Sequence, residues 1–237
     1  MNFLKKIKVF FIAIFIFSSN LSFSQGSKNE RSYILKLNTT ALIDGFSFPT
    51  VQLALERKFN NSFSIQGEFG LQLYDLGNSV DTVSFDSKGF RANAEGRFYF
   101  LNYYKNDKSK KRVSDGVYAG LQLFYRENQF SRNASYYIEE SENQEKHNDN
   151  FGVKKKIFGA NLALGFQKQF GHFVLEPNAY IGIMNRNIKN FDRSYNPDSG
   201  HIEDNGPHDF FSDTDMKESS GYKANFSVGL RLGYRFY

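Results

Sequence analysis

The feature that most constrains this chain is a period of two. From Phe226 to Phe236 every second residue is apolar or aromatic: Phe226, Val228, Leu230, Leu232, Tyr234 and Phe236. Ser227, Gly229, Arg231, Gly233 and Arg235 lie between them. Successive side chains of a strand point to opposite faces, so this stretch reads as a strand with one apolar and one polar face. The pattern recurs over Tyr33–Ile43, Val51–Phe59, Phe63–Leu73, Phe90–Phe100, Val117–Tyr125, Phe158–Phe166 and Phe173–Ile183. Eight strands of roughly 9–14 residues exceed the usual ~5–6 and suit a tilted bilayer crossing, which takes about 9–11. No 3.6-residue period stands out beyond the first 24 residues, so the remainder reads as all-β.

Period two does not say which face points inward. A soluble barrel turns its apolar face in, whereas a membrane barrel turns it toward lipid. The polar face here mixes charges with Gly70, Tyr74, Tyr99, Tyr118, Gly120, Tyr180, Gly182, Gly229 and Gly233. Small and large residues among paired charges suit a filled lumen better than a surface in water. Aromatics such as Tyr33, Phe59, Phe63, Phe98, Phe100, Tyr125, Phe170, Phe173 and Tyr234 gather at strand ends, as interfacial girdles do. Arg57, on the apolar register near a strand end, would snorkel to the head groups. The expectation is an eight-stranded antiparallel up-and-down transmembrane β-barrel over residues 25–237.

Residues 1–24 read as a secretory signal peptide: Lys5, Lys6 and Lys8 precede the apolar run Val9–Phe17, and Ser22 and Ser24 fit cleavage before Gln25. The run is too short to span a bilayer. Loss of this segment takes the formal charge from +5 to +2, which leaves little support for nucleic-acid binding. The chain has no cysteine, so thiol catalysis, thiolate metal sites, disulfides and a lipidated N-terminal cysteine are all excluded. Long polar connections follow Tyr74, span Phe130 to Gly152, and span Asn187 to Gly221. Tight turns lie at Asn60–Ser62 and near His172. Long outer loops and short periplasmic turns are the habit of membrane barrels. "GFSF" after Asp44 is short for an outer loop, and the basic stretch with Lys105, Lys108, Lys110, Lys111 and Arg112 is long for an inner turn.

The last strand, with Phe236 and Tyr237 at its end, resembles the C-terminal signature of Gram-negative outer-membrane barrels. That signature usually places its aromatic last; here the apolar register ends one residue early, on Phe236. The chain as a whole resembles small eight-stranded barrels of the OmpA transmembrane-domain type. "LALERKFNNSFSIQGEFG" and "FRANAEGRFYFLNYY" resemble an uncharacterised family of these. The resemblance implies the outer membrane as location, its lipid and lipopolysaccharide as surroundings, and the barrel-assembly machinery as a partner reading Phe236 and Tyr237. It does not imply an activity, since such barrels include anchors, adhesins, channels and lipid-modifying enzymes.

On the inward register lie Glu56, Glu68, Glu95 and Glu176 with Arg91, Arg97, Arg126, Arg186, Arg231 and Arg235, and with Lys36, Lys58 and Lys223. An eight-stranded barrel is just wide enough for side chains to fill it. These charges are therefore expected to pair across the lumen, with Arg91, Arg97 or Arg231 neutralising Glu68 and Glu95. Lys154 and Lys156 share the outward parity of Phe158, where lipopolysaccharide phosphates would meet them. His147, His172, His201 and His208 are all expected in loops or turns, leaving no strand histidine beside a serine for hydrolytic chemistry. His201, Glu203, Asp204, His208 and Asp209 match no metal-ligand spacing, so neither metal nor cofactor is expected. The expected function is a non-enzymatic outer-membrane barrel with a plugged, salt-bridged lumen, structural or binding a partner at its outer loops. The alternatives are a lipid-modifying enzyme and a soluble periplasmic ligand-binding barrel.

Overall fold

The computed structural model describes residues 33–44, 48–59, 62–73, 84–101, 116–138, 146–194, 200–202 and 218–236. The expected signal peptide, the basic stretch at Lys105–Arg112 and Tyr237 lie outside them. The strands are β1 (Tyr33–Asn38), β2 (Val51–Lys58), β3 (Phe63–Leu71), β4 (Ser84–Leu101), β5 (Gly116–Ile138), β6 (Lys146–Phe170), β7 (Phe173–Phe191), β8 (Gly200–Ile202) and β9 (Ser219–Phe236).

Leaving β8 aside, each strand pairs antiparallel with the next along the chain, and β9 pairs with β1 from Tyr33↔Phe236 to Asn38↔Arg231. Eight strands thus close a ring, while β8 adds to the far end of β5 at Tyr136–Ile138. Closure leaves no open sheet edge where first and last strands meet. The register fixes the slant. A row of partners followed once round the ring runs Phe226, Ile181, Leu162, Leu121, Gly96, Ile65, Arg57, Tyr33, Phe236. It returns to β9 ten residues further along, a stagger that requires tilted strands, about 35–45° in barrels of this kind.

The face assignment follows the parity of the sequence. Leu53, Leu55, Ile65, Leu121, Leu123, Leu162, Leu164, Ile181, Ile183, Phe226 and Val228 are exposed on the outside, while Lys36, Glu56, Glu95, Arg97, Glu176 and Arg231 are buried within. On β7 the apolar outer face runs from Phe173 to Ile183. At ~3.4 Å per residue and a ~40° tilt, ten steps rise roughly 26 Å, close to the ~25 Å apolar belt of membrane barrels. Arg57 lies outside, its guanidinium 5.2 Å from the Phe59 ring and 5.9 Å from that of Tyr33.

Three sequence expectations are corrected. The first strand stops at Asn38, not Ile43, and Thr40–Ile43 is a 3-10 turn. The cause is local: Asn38 Oδ1 accepts bonds from Thr40 Oγ1 (2.9 Å) and the Ala41 N–H (3.3 Å), the self-bonding turn that asparagine favours. The polar stretch Phe130–Gly152 is mostly strand, because β5 runs to Ile138 and β6 begins at Lys146 with an unbroken ladder from Gly116↔Gln167 to Tyr137↔Lys146. Within Asn187–Gly221, β7 continues to Phe191, β8 intervenes and β9 starts at Ser219. These extensions have no apolar outer face, so hydropathy alternation alone does not mark them.

Two rims result. One carries Tyr33, Phe236 and the tight turns; at Gly171 the backbone has φ +65°, a left-handed conformation that glycine adopts freely. The same rim takes the connection from β4 to β5, residues 102–115, and the other carries the connections that follow β1, β3, β5 and β7. There the segment after β1 folds over the mouth, with Ala41, Phe48 and Thr50 buried and the Thr50 N–H donating to Ala41 O at 2.8 Å.

Candidate functional site: the lumen network and the outer lysines

The centre of the lumen is one connected polar network. Glu176 on β7 accepts both outer nitrogens of Arg97, at 2.9 and 3.0 Å. It also accepts from Arg231 Nη1 (3.0 Å), Tyr118 Oη (3.0 Å) and Lys36 Nζ. Lys36 reaches Glu56 as well, at 2.6 Å, and donates to Gln167 Oε1 at 2.9 Å. Arg97 Nε donates to Glu95 at 2.8 Å, and Arg231 grips Glu68 at 2.6 and 2.8 Å. Three phenols finish the set: Tyr99 donates to Glu56 (2.7 Å), Tyr180 to Glu95 (2.9 Å) and Tyr118 to Glu176. Asn38 and Asn93 donate to the second oxygen of Glu68, at 3.1 and 3.3 Å. Every strand of the ring contributes a member.

The charges balance locally. Glu56, Glu68, Glu95 and Glu176 face Lys36, Arg97 and Arg231, while Lys58 lies 3.8 Å from the centre of the Tyr99 ring. Ions taken out of water cost several kcal/mol each unless paired and hydrogen-bonded, and here the fork of Arg97 meets a carboxylate with two parallel bonds. Glycines make room for the rings. A Cβ on Gly165 would sit 2.4 Å from the Tyr118 ring, and one on Gly159 would sit 2.5 Å from that of Phe124. These are directly paired positions of β5 and β6.

Of the residues expected from sequence to form the lumen network, Glu56, Glu68, Glu95, Arg97, Glu176 and Arg231 are brought together. Arg91 is not among them. It turns to the mouth, donating to Asp44 Oδ2 (2.8 Å) and Phe48 O (2.6 Å), because β4 carries it above the level of Glu68 and Glu95. Arg126 lies toward the same mouth, 4.8 Å from the Phe124 ring, and Arg186 is buried there on β7. Arg235 sits at the opposite rim and donates to Gln169 at 2.9 Å. Lys223 is exposed near the outer end of β9. Lys36, inward by parity, is a hub of the network through Glu56, Glu176 and Gln167. The phenols and amides share that parity, the one signal that points to them.

Outside, Lys154 and Lys156 lie on the outward register of β6, as their parity requires. Lys154 meets Glu127 at 2.9 Å, and Tyr125 donates to the same carboxylate at 2.6 Å. His147 stands on β6 and His201 on β8, not in loops; His172 is in the turn before β7, stacked 5.4 Å from Tyr234. Glu203, Asp204, His208 and Asp209 lie outside the described residues. Among the described residues, no three His, Asp or Glu side chains are grouped to hold a metal.

No family model matches the chain, and no curated protein matches it. Among solved structures, it is similar to the crystal structure of a major outer membrane protein from Thermus thermophilus. The identity is 10%, the TM-score 0.34, and the alignment covers 87% of this chain and 99% of that one.

Proposed function

We propose that the chain is a non-enzymatic β-barrel of the outer membrane, of the small OmpA transmembrane-domain type, delivered by a cleaved signal peptide. In this reading its lumen is closed by the ion-pair network, and it serves as a structural or partner-binding protein. The carrying observation is inverted polarity: leucine, isoleucine, valine and phenylalanine cover the outside of a closed ring whose interior is charged. A soluble barrel would place that apolar band in water and bury its ions at no gain. In lipid the same arrangement satisfies every requirement of a spanning sheet. The rim with the tight turns and the β4–β5 connection faces the periplasm, and the rim with the connections after β1, β3, β5 and β7 faces outward and offers the place for a partner.

Against a pore stands the density of bonds around Glu176, where side chains from opposite walls meet. Against catalysis stands the engagement of Glu56, Glu68, Glu95 and Glu176 by cations and phenols. The test has two parts. The protein extracted in mild detergent should migrate faster unheated than boiled on a gel, as closed membrane barrels do. Planar-bilayer recording should then give no stable, large single-channel steps, and such steps would refute the closed lumen.

A further inference from the structure

The outward face of the tall side of the barrel carries lysines where the apolar band ends. On β4 the outward residue above Phe90 is Lys88; on β6 the residue above Phe158 is Lys156, followed by Lys154. On β7, Asn185 and Asn187 follow Ile183, and Lys189 comes next. The register draws them together. Lys88 pairs with Gln129, Gln129 with Lys154, and Lys154 with Lys189, one row across four strands. Strands lie about 4.8 Å apart, so the four ammonium groups share one patch of wall. Lys88, Lys156 and Lys189 are exposed and Lys154 half-buried.

Like charges directly opposite on a sheet face destabilise it, yet Lys154 and Lys189 are placed so. Among the described residues one carboxylate, that of Glu127, offsets part of the cluster's charge. Glu127 is taken by Lys154 and Tyr125, and Glu218 beside β7 is taken by the Asn190 N–H (2.8 Å) and Arg193 (3.2 Å). The patch also lies directly above the belt formed by Phe90, Tyr125 and Phe158, whose first two rings pack 5.6 Å apart. A ligand here has its tail against apolar wall and its head among ammonium groups. Lysine is a compact point charge suited to phosphate.

We propose that Lys88, Lys154, Lys156 and Lys189 form a site on the barrel exterior for a lipid with a phosphomonoester head group. Two negative charges on one phosphate match the surplus of these four lysines over the carboxylate of Glu127, and the acyl chains lie along Phe158, Leu162 and Leu164. The site rests on the membrane-barrel reading above and specifies which lipid that barrel retains.

The test uses the full chain refolded into phosphatidylcholine vesicles containing minor, equal fractions of phosphatidic acid and phosphatidylglycerol. Re-extracted protein is examined by native mass spectrometry for bound lipid. Wild type should retain phosphatidic acid over phosphatidylcholine and phosphatidylglycerol. The combined K88Q/K154Q/K156Q/K189Q variant should lose roughly tenfold or more of that retention, since each lysine near an anionic head group contributes several-fold. The four-fold Lys→Arg variant should keep most of it, and K168Q, an outward lysine near the other rim, should change nothing. Equal retention by wild type and the glutamine variant overturns the site. Equal retention of phosphatidylglycerol, or full displacement by equimolar inorganic phosphate, overturns the lipid phosphomonoester as ligand. Failure of every variant to insert, read by unchanged gel migration on heating, overturns the membrane reading and the site with it. Insertion without lysine dependence overturns the site alone.

Discussion

At the scale of single residues, Glu176 and Gly165 carry the most specific expectations. Glu176 binds Lys36, Arg97, Arg231 and Tyr118 at once. Its replacement by alanine leaves three buried cations short of a partner, and breaking a buried pair in this way costs about 3–5 kcal/mol. Urea unfolding in detergent should show that loss for Glu176→Ala, and a loss under about 1 kcal/mol would mean the network is not the core of the barrel. Gly165 is tested against Gly67. A methyl on Gly165 meets the Tyr118 ring, whereas one on Gly67 meets nothing within 4 Å. Gly165→Ala should therefore destabilise by about 1–3 kcal/mol through overpacking. Gly67→Ala should be neutral or stabilise by up to about 1 kcal/mol, because it removes backbone entropy from a strand.

At the scale of elements, the lengths of β5 and β6 decide what is loop and what is wall. Excising residues 130–152 as though they were a loop would remove the ladder from Phe130↔Val153 to Tyr137↔Lys146 and the seat of β8. It would also expose Ile188, which packs with Phe151 and Val153. The excised protein should fail to show heat-modifiable migration, whereas replacing only residues 139–145 with a short Gly-Ser turn should leave it intact. The end of β1 is a second element-scale test. Asn38→Ala removes the acceptor that bends the chain into the 3-10 turn and a donor to Glu68. The expected cost is about 1–2 kcal/mol, with faster amide exchange at Ala41 and Leu42.

At the scale of the whole molecule, the question is which solvent surrounds the ring. Leu162 stands in the middle of the outer face of β6 and is exposed. In a bilayer, Leu162→Arg should cost about 2–4 kcal/mol in folding free energy, the depth-dependent penalty for arginine on a lipid face. In a water-soluble barrel the same surface change would stay within about 0.5 kcal/mol. Reversible folding into lipid vesicles, wild type against variant, separates the two, and a cost near zero would remove the membrane reading.

Parity was the part legible without a structure. Phe226 to Phe236 alternates because a strand has only two faces, and the same arithmetic put Glu56, Glu95, Arg97, Glu176 and Arg231 inside and Lys154 and Lys156 outside. The sequence by itself therefore determined an all-β chain, its strand faces and the polarity of the wall. Three matters were decided only in three dimensions. Strand ends depended on side-chain bonds, as at Asn38, and on pairing with a neighbour, as in β5 and β6, where no hydropathy signal continues. Which charges meet depended on the stagger of the ring: a ten-residue offset sets Arg97 and Arg231 at the level of Glu176 and carries Arg91 to the mouth. And the gathering of Lys88, Lys154 and Lys189 on one row depended on register, since residues a hundred positions apart become neighbours only once the strands are aligned.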